Sequence, residues 1–514
     1  MADNTSPDFE ANFAPQLLGV HSASGAIILG GGVNFEPVFR AQVNTALRSE
    51  DWASFAALMT DPLRDPLPRV SSISTPVMAM IAYDDFAFPA YALAEAWQAL
   101  PAATPRKLYL GTGGHQSPNN NGENAFRANW RRQWFDRFLK GVANGIDGGA
   151  SITYAVTPSD LSQYTSPSSN WTRKTADAWP PEGAHEYRLF LHQGAQLTPF
   201  APTGPETTES IHQTVAAGFD MDDVVNGGFN LALVELNIPR RTLSYDSAPL
   251  DSAIEFAGDP RVRLSVACAT DRYQVRASLW DMPPSGTARY ICGGSYFVFD
   301  DAPAGPNVFE VHLNANAYRF ESGHRVRVQL ENLQIHQPPV GAGLRFGPYI
   351  HAFDLEVRHS STELSWIDLP VNECQAIVYG APQLNSQGCS PSLSTSGSPS
   401  VSSAAPFGID AHNLINNKSG LLFYGFALRA SPFHGGTLYI DPPLRRTALQ
   451  NSGGNAPPDD CSGAFSYDFN ARIQSGVDPS LVHGARVFAQ YWSRDPSSAP
   501  TTNLTNAVEF TVCN

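Results

Sequence analysis

The chain reads as an α/β unit followed by all-β units. Apolar runs and amphipathic helices alternate over the first 150 residues, and strict apolar–polar alternation replaces them afterwards. Gly and Pro number 41 each, while charged residues are only 16%. Strand–helix–strand–helix order implies a parallel sheet, and short alternating runs between turn residues imply sandwiches. A length of 514 residues suits three or four units of roughly 150 residues.

In the α/β unit, residues 1–150, the stretch 26–30 reads as a short buried strand ending in a Gly run. Two cap helices follow, roughly 36–48 and 51–60. Asp51 is a good N-cap for the second, which carries Trp52, Phe55, Ala56 and Met59 at helical spacing. Thr75-Pro76 introduces the apolar run 77–81, of the kind buried on both faces in parallel sheets. A helix at 90–100 and a strand at 106–110 come next. A long helix, about 123–140, sets Phe126, Trp130, Trp134 and Phe138 at i+4 spacing with Phe135 and Leu139 beside them, and its rings read as core.

The next unit, residues 151–381, alternates in Tyr187–Leu191, Val262–Val266, Gln274–Leu279 and Arg325–Leu330, which predicts a β-sandwich. Residues 382–405 are rich in Ser, Gly and Pro and read as a linker. A second small sandwich, 406–514, includes short segments at 421–424 and 437–440.

Lys plus Arg is 33 and Asp plus Glu is 48, a formal charge of −15. Such acidity disfavours a nucleic-acid binder, which needs cations to displace counterions, and disfavours docking on anionic lipid. Apolar content of 42% with 29 Phe excludes a disordered chain. No apolar run reaches the ~18 residues of a membrane span. All six cysteines (Cys268, Cys292, Cys374, Cys389, Cys461, Cys513) lie after residue 150, without the paired C-x-x-C spacing of a zinc site. No metal or other cofactor is expected. An even count in a sandwich-rich chain suggests disulfides and an oxidising compartment. The expected pairing is Cys268–Cys292, Cys374–Cys389 and Cys461–Cys513; the alternative is six buried thiols. A secreted or periplasmic location is therefore expected, although residues 1–6 carry no signal-peptide character.

Asp84 and Asp85 follow the strand at 77–81, and His115 follows the strand at 106–110 through Gly111-Thr112-Gly113-Gly114. Ligand-facing groups gather at the carboxyl ends of parallel strands. The glycines let the chain turn and project the imidazole. An acid after one strand and a histidine after the next can form a catalytic pair, the carboxylate holding the ring tautomer. Solvated loop residues are the alternative.

Several stretches, in order, carry a resemblance. Ile73-Ser74-Thr75-Pro76-Val77, Asp85-Phe86-Ala87-Phe88-Pro89, Lys107–His115, and Trp134–Gly141 with Asn144-Gly145-Ile146 resemble the cocaine-esterase and X-Pro dipeptidyl-peptidase group of α/β-hydrolases. Leu243–Leu250, Gly258-Asp259-Pro260, Leu279-Trp280-Asp281 and Ala317–Arg325 resemble that group's C-terminal jelly-roll domain. Together they cover roughly residues 26–380. The last ~110 residues look like a module appended to some secreted bacterial proteins. The resemblance implies a partial α/β-hydrolase sheet, a jelly-roll sandwich, Asp85 as catalytic acid (with Asp84 its close rival) and His115 as base. His324 belongs to the jelly-roll pattern and reads as structural.

One departure matters. A serine hydrolase of this group needs a G-x-S-x-G nucleophile elbow, and no such pentapeptide occurs in the 514 residues. The nearest version, around Ser24, is poorly placed, because a strand follows where the nucleophile helix should be. By the resemblance, the elbow falls at or before Met1, and only about three strands of the hydrolase sheet remain. Truncation, complementation by a separate chain, or a degenerate hydrolase would each account for this. Two functions are thus expected. One is the C-terminal part of a secreted serine hydrolase, acting on an ester or X-Pro amide substrate, with an upstream chain or segment supplying the nucleophile. The other is a non-catalytic binding or assembly protein built on the sandwiches.

Overall fold

The structure, a computed structural model, describes residues 37–59, 67–84, 90–114, 121–157, 171–226, 231–298, 306–333, 350–372 and 374–514. The expected strand at 26–30, Ser24, Asp85 and His115 lie outside them.

Helices α1 (Pro37–Arg48) and α2 (Trp52–Met59) form where expected, and Ser54 N donates to Asp51 Oδ1 at 3.0 Å at the start of the second. After α3 (Leu67–Val70) come β1 (Val77–Asp84), α4 (Ala90–Gln98), β2 (Arg106–Gly114) and α5 (Asn121–Lys140). β1 and β2 pair in parallel. The sheet does not stop at residue 150. β3 (Ile152–Ala155) pairs parallel to β2, and β4 (Arg173–Ala176) pairs antiparallel to β3. The sheet thus runs on to Ala176. The apolar run of β1 is only half-buried over 77–80, because β1 is an edge of this four-stranded sheet among the described residues.

α4 packs Ala90, Tyr91, Ala92, Ala94 and Trp97 against Tyr83, Leu108, Leu110 and Tyr154. Its alanines bring the helix close to the sheet. α5 differs from the sequence expectation on one face. Trp134 is buried and Phe126 and Trp130 pack on Tyr109, but Phe135 and Leu139 are exposed.

The second unit is a thirteen-stranded, almost wholly antiparallel sheet among the described residues. Its strands curl around one core. Val275, Ala277 and Leu279 from one end meet Val262, Leu264, Leu355 and Ile367 from the other. Strict alternation, as in Arg325–Glu331, puts Val326, Val328 and Leu330 inside, because successive side chains point to opposite faces.

The third unit packs a six-stranded sheet on a three-stranded one through Leu422, Tyr491, Phe510, Ile409 and Phe465. Residues 376–379 pair with its strand Thr502–Thr511. The stretch 382–405 is not a free linker. Ser392–Ser396 is a strand paired with Gly408–Leu414, and Cys389 is bonded to Cys461.

The disulfides are Cys374–Cys513 and Cys389–Cys461, while Cys268 and Cys292 are thiols. All three expected pairs are thus corrected. Neighbours in sequence were paired there, whereas the sandwich brings the chain's last strand beside the strand that opens the unit. Among the described residues, no helix is long and apolar enough to cross a membrane.

Candidate active site

The carboxyl ends of β1 and β2 lie side by side. Ala82 pairs with Gly111, and the next partners are Asp84 and Gly114. β2 therefore carries one extra residue at this end, a bulge of the kind that re-aims side chains near active sites. The glycines expected to form a loop are inside β2. Gly111 has a spatial reason. An added Cβ would lie 2.6 Å from Tyr109 Cε1, 2.7 Å from Arg127 Nη2 and 2.8 Å from Glu123 Oε1.

Asp84 ends β1 and Gly114 ends β2. The expected acid, Asp85, and base, His115, are the next residue in each case and lie outside the described residues. The strand ends that precede them, Asp84 and Gly114, pair with each other.

The sandwich reaches this edge. Asn314 Nδ2 donates to Tyr83 O at 2.6 Å, and Ala90 N donates to Asn314 Oδ1 at 2.6 Å. One carboxamide therefore ties the end of β1 to the start of α4. Leu313 N donates to Pro260 O at 2.9 Å, and Asn314 N donates to Gly293 O at 3.2 Å. Asn316 holds Ile291 O at 3.0 Å and meets Thr157 Oγ1 at 3.1 Å. Ala257, Ala315 and Ala317 join the apolar cluster of Tyr83, Tyr91 and Trp97. Sequence reasoning missed Asn314. The available signal was a pair of amides two residues apart, in Leu313-Asn314-Ala315-Asn316-Ala317, within an apolar context.

Glu123 was also missed. Its fully buried carboxylate accepts from Tyr109 Oη, from Arg127 Nε at 3.0 Å and from Arg173 Nη2 at 2.7 Å. The group ties α5 to β2 and β4. Burial, reinforced by the Glu123 charge, pushes the Tyr109 phenol well above its ordinary value. An i, i+4 Glu–Arg pair at the start of a helix was the signal in the sequence.

Other acid–imidazole pairs lie in the sandwich. His324 Nδ1 is 2.8 Å from Asp281 Oδ1, and Tyr318 Oη donates to Asp281 Oδ2 at 2.6 Å. His359 Nδ1 is 3.1 Å from Glu209 Oε2, and burial lowers its pKa. Both pairs sit within a hydrogen-bonded lattice of strands and fit the structural reading given to His324. Among the described residues, no group of three or more His, Cys, Asp or Glu side chains is arranged to hold a metal ion.

Residues 155–331 match the family described as the X-Pro dipeptidyl-peptidase C-terminal non-catalytic domain. A Mycobacterium bovis protein named as a serine esterase is 24% identical over 270 residues, covering 46% of this chain and 40% of the relative. A Rhodopirellula baltica protein named as an Xaa-Pro dipeptidyl-peptidase is 26% identical over 219 residues, covering 42% and 31%. The chain thus spans less than half the length of these curated relatives. Among solved structures, an α-amino acid ester hydrolase is 16% identical with a TM-score of 0.47, over 71% of this chain and 69% of that one. A CocE/NonD family hydrolase from Staphylococcus aureus is 12% identical with a TM-score of 0.47, over 63% and 59%. The resemblance to X-Pro dipeptidyl-peptidases and serine esterases stands on the matched domain and the curated relatives.

Proposed function

We propose that this chain is the C-terminal portion of a secreted serine hydrolase that cleaves an ester or X-Pro amide bond. Asp85 orients His115, and His115 takes the proton of a serine hydroxyl supplied from outside this chain. The carboxylate holds the ring tautomer and stabilises the imidazolium once the hydroxyl has attacked the carbonyl. The same imidazolium then protonates the leaving group. One observation carries the reading: parallel β1 and β2 end in register at Asp84 and Gly114, so each candidate directly follows one of two adjacent strand ends. The second unit serves as a jelly-roll that buttresses this edge. Two disulfides support an oxidising compartment.

A fluorophosphonate probe tests the reading on the protein isolated from its source with its co-purifying partners. The expected result is a labelled serine in a polypeptide that contains or accompanies this chain. His115→Ala should abolish labelling, and Asp85→Asn should slow turnover by roughly four orders of magnitude. The reading fails if neither the chain nor a partner takes the label, or if His115→Ala labels at the normal rate.

A second reading is non-catalytic binding by the sandwiches. A cleft of about 750 Å³ between the second and third units favours it, lined by Phe190, Phe200, Phe426, Phe488, Arg188 and Arg486. Clefts of this size at domain interfaces commonly hold ligands. Retention on a polysaccharide array, lost in Phe426→Ala, would support it; no retention would remove it.

A further inference from the structure

We infer that the third unit carries a binding site for a small apolar ligand that ends in a carboxylate. The site is a cavity of about 460 Å³, within the range of small-molecule pockets. It has no lining residue in common with the cleft between the second and third units. Alternation along two paired strands builds its floor. Leu422 and Tyr424 of Ser419–Gly425, with Tyr491 of Arg486–Arg494, face the core of the third unit. Leu421, Phe423 and Trp492 turn to the opposite face, because successive side chains of a strand point to opposite sides. Leu421 is paired directly with Trp492. The hairpin of Leu428–Phe433 and Gly436–Ile440 lies over this face and adds Phe433 and Leu438. Its tip, His434-Gly435, has φ of 48° and 81°, as a tight two-residue turn requires. Gln383 Nε2 donates to His434 O at 3.1 Å, so this wall is preformed. Leu421, Phe433, Leu444 and Trp492 stay only partly buried around the opening.

The charges at the cavity are of one sign. Arg446 and Arg494 line it, and no carboxylate does among the described residues. Their strand neighbours are neutralised. Arg445 Nε lies 2.7 Å from Asp478 Oδ2, and Arg486 Nε donates to Glu509 Oε1 at 2.6 Å. Arg446 and Arg494 make no ion pair among the described residues. Arg494 instead lies by the Trp492 ring, 5.6 Å from its centre. In a chain of net charge −15, two arginines without acids beside an apolar pocket mark a place for an anion from outside. A guanidinium matches the planar, two-oxygen geometry of a carboxylate. The leucines and the Trp492 ring suit an apolar body. A sugar fits poorly, since such a floor leaves its hydroxyls unpaired.

The test is calorimetric titration of the full chain with phenylbutyrate and with its uncharged counterpart, phenylbutanol. The acid should bind saturably at a single site, and the alcohol roughly fivefold more weakly. Arg446 and Arg494 are exposed, so Arg446→Gln and Arg494→Gln should leave the fold intact. Each should weaken the acid by roughly two- to fivefold and leave the alcohol unchanged. Leu444→Trp fills the cavity from its rim and should abolish binding of both. Arg429→Gln removes a charge of the same unit that lies outside the cavity and should change neither titration. Absence of saturable binding by the acid overturns the site. Equal affinities for acid and alcohol overturn the carboxylate. Binding that survives Leu444→Trp, or that Arg429→Gln weakens as much as the other two glutamine variants do, lies elsewhere and overturns the site as well. If the Leu444→Trp chain does not fold, the double variant Arg446→Gln/Arg494→Gln decides: undiminished binding of the acid overturns the site.

Discussion

Asp259 gives the interface between the α/β unit and the sandwich a pH dependence of predictable sign. Its carboxylate accepts from Trp179 Nε1 at 3.1 Å, and the following residue, Pro260, receives the backbone N–H of Leu313. Burial pushes the Asp259 pKa up from 3.8 to about 6, although the Trp179 hydrogen bond and Arg261 pull the other way. The folded protein thus disfavours the ionised form. Below pH ~4 both states are protonated, and Asp259 adds no penalty. Between about pH 4 and 6 the unfolded carboxyl ionises while the folded one stays protonated, so stability falls across that window and levels off above it. Two pKa units at ~1.4 kcal/mol each give a loss of about 3 kcal/mol. Asp259→Asn keeps an oxygen for Trp179 and has no charge to bury. The variant should match the wild type near pH 4 and exceed it by about 2–3 kcal/mol at pH 8. Urea unfolding followed by tryptophan fluorescence, at pH 4 to 8, reads the difference directly. A stability difference that stays constant with pH, or a variant weaker than the wild type at pH 8, would refute the reasoning.

Three further outcomes follow from the same kind of geometry. Glu123→Ala leaves two guanidiniums and a phenol without their shared buried carboxylate and should cost about 3–5 kcal/mol; hydrogen exchange should localise the loss to α5 and its contacts with β2 and β4. Non-reducing peptide mapping should recover Cys374 linked to Cys513 and Cys389 linked to Cys461. Replacing both Cys374 and Cys513 by serine removes a cross-link across 139 residues and should cost about 5 kcal/mol on the chain-entropy account, read as a lower denaturant midpoint of the third unit.

The two strands that lead into the candidate site were legible along the chain. Thr75-Pro76 before one apolar run, and the glycines after another, located β1 and β2. Asn314 was not legible in this way. It lies 224 residues from Ala90 and 231 from Tyr83, and a lone polar residue between strands usually means a turn. Glu123 was similarly hidden, since an exposed ion pair and a buried one look identical in a helix sequence.

The sequence by itself determined the local elements and the order of the units. Periods of two and 3.6 residues are properties of neighbouring side chains, so Arg325–Glu331 and Asn121–Lys140 follow from them. That no G-x-S-x-G pentapeptide occurs in these 514 residues was likewise visible. Tertiary structure alone decided how far the first sheet runs, which cysteines meet, and which side chain of the second unit holds the end of β1. Those outcomes depend on partners distant in the chain. β3 extends the first sheet past residue 150 because β2 offers it an edge, and Cys374 meets Cys513 because residues 376–379 pair with the chain's final strand. Pairing of that range is fixed by the packing of whole sheets, which no local pattern records.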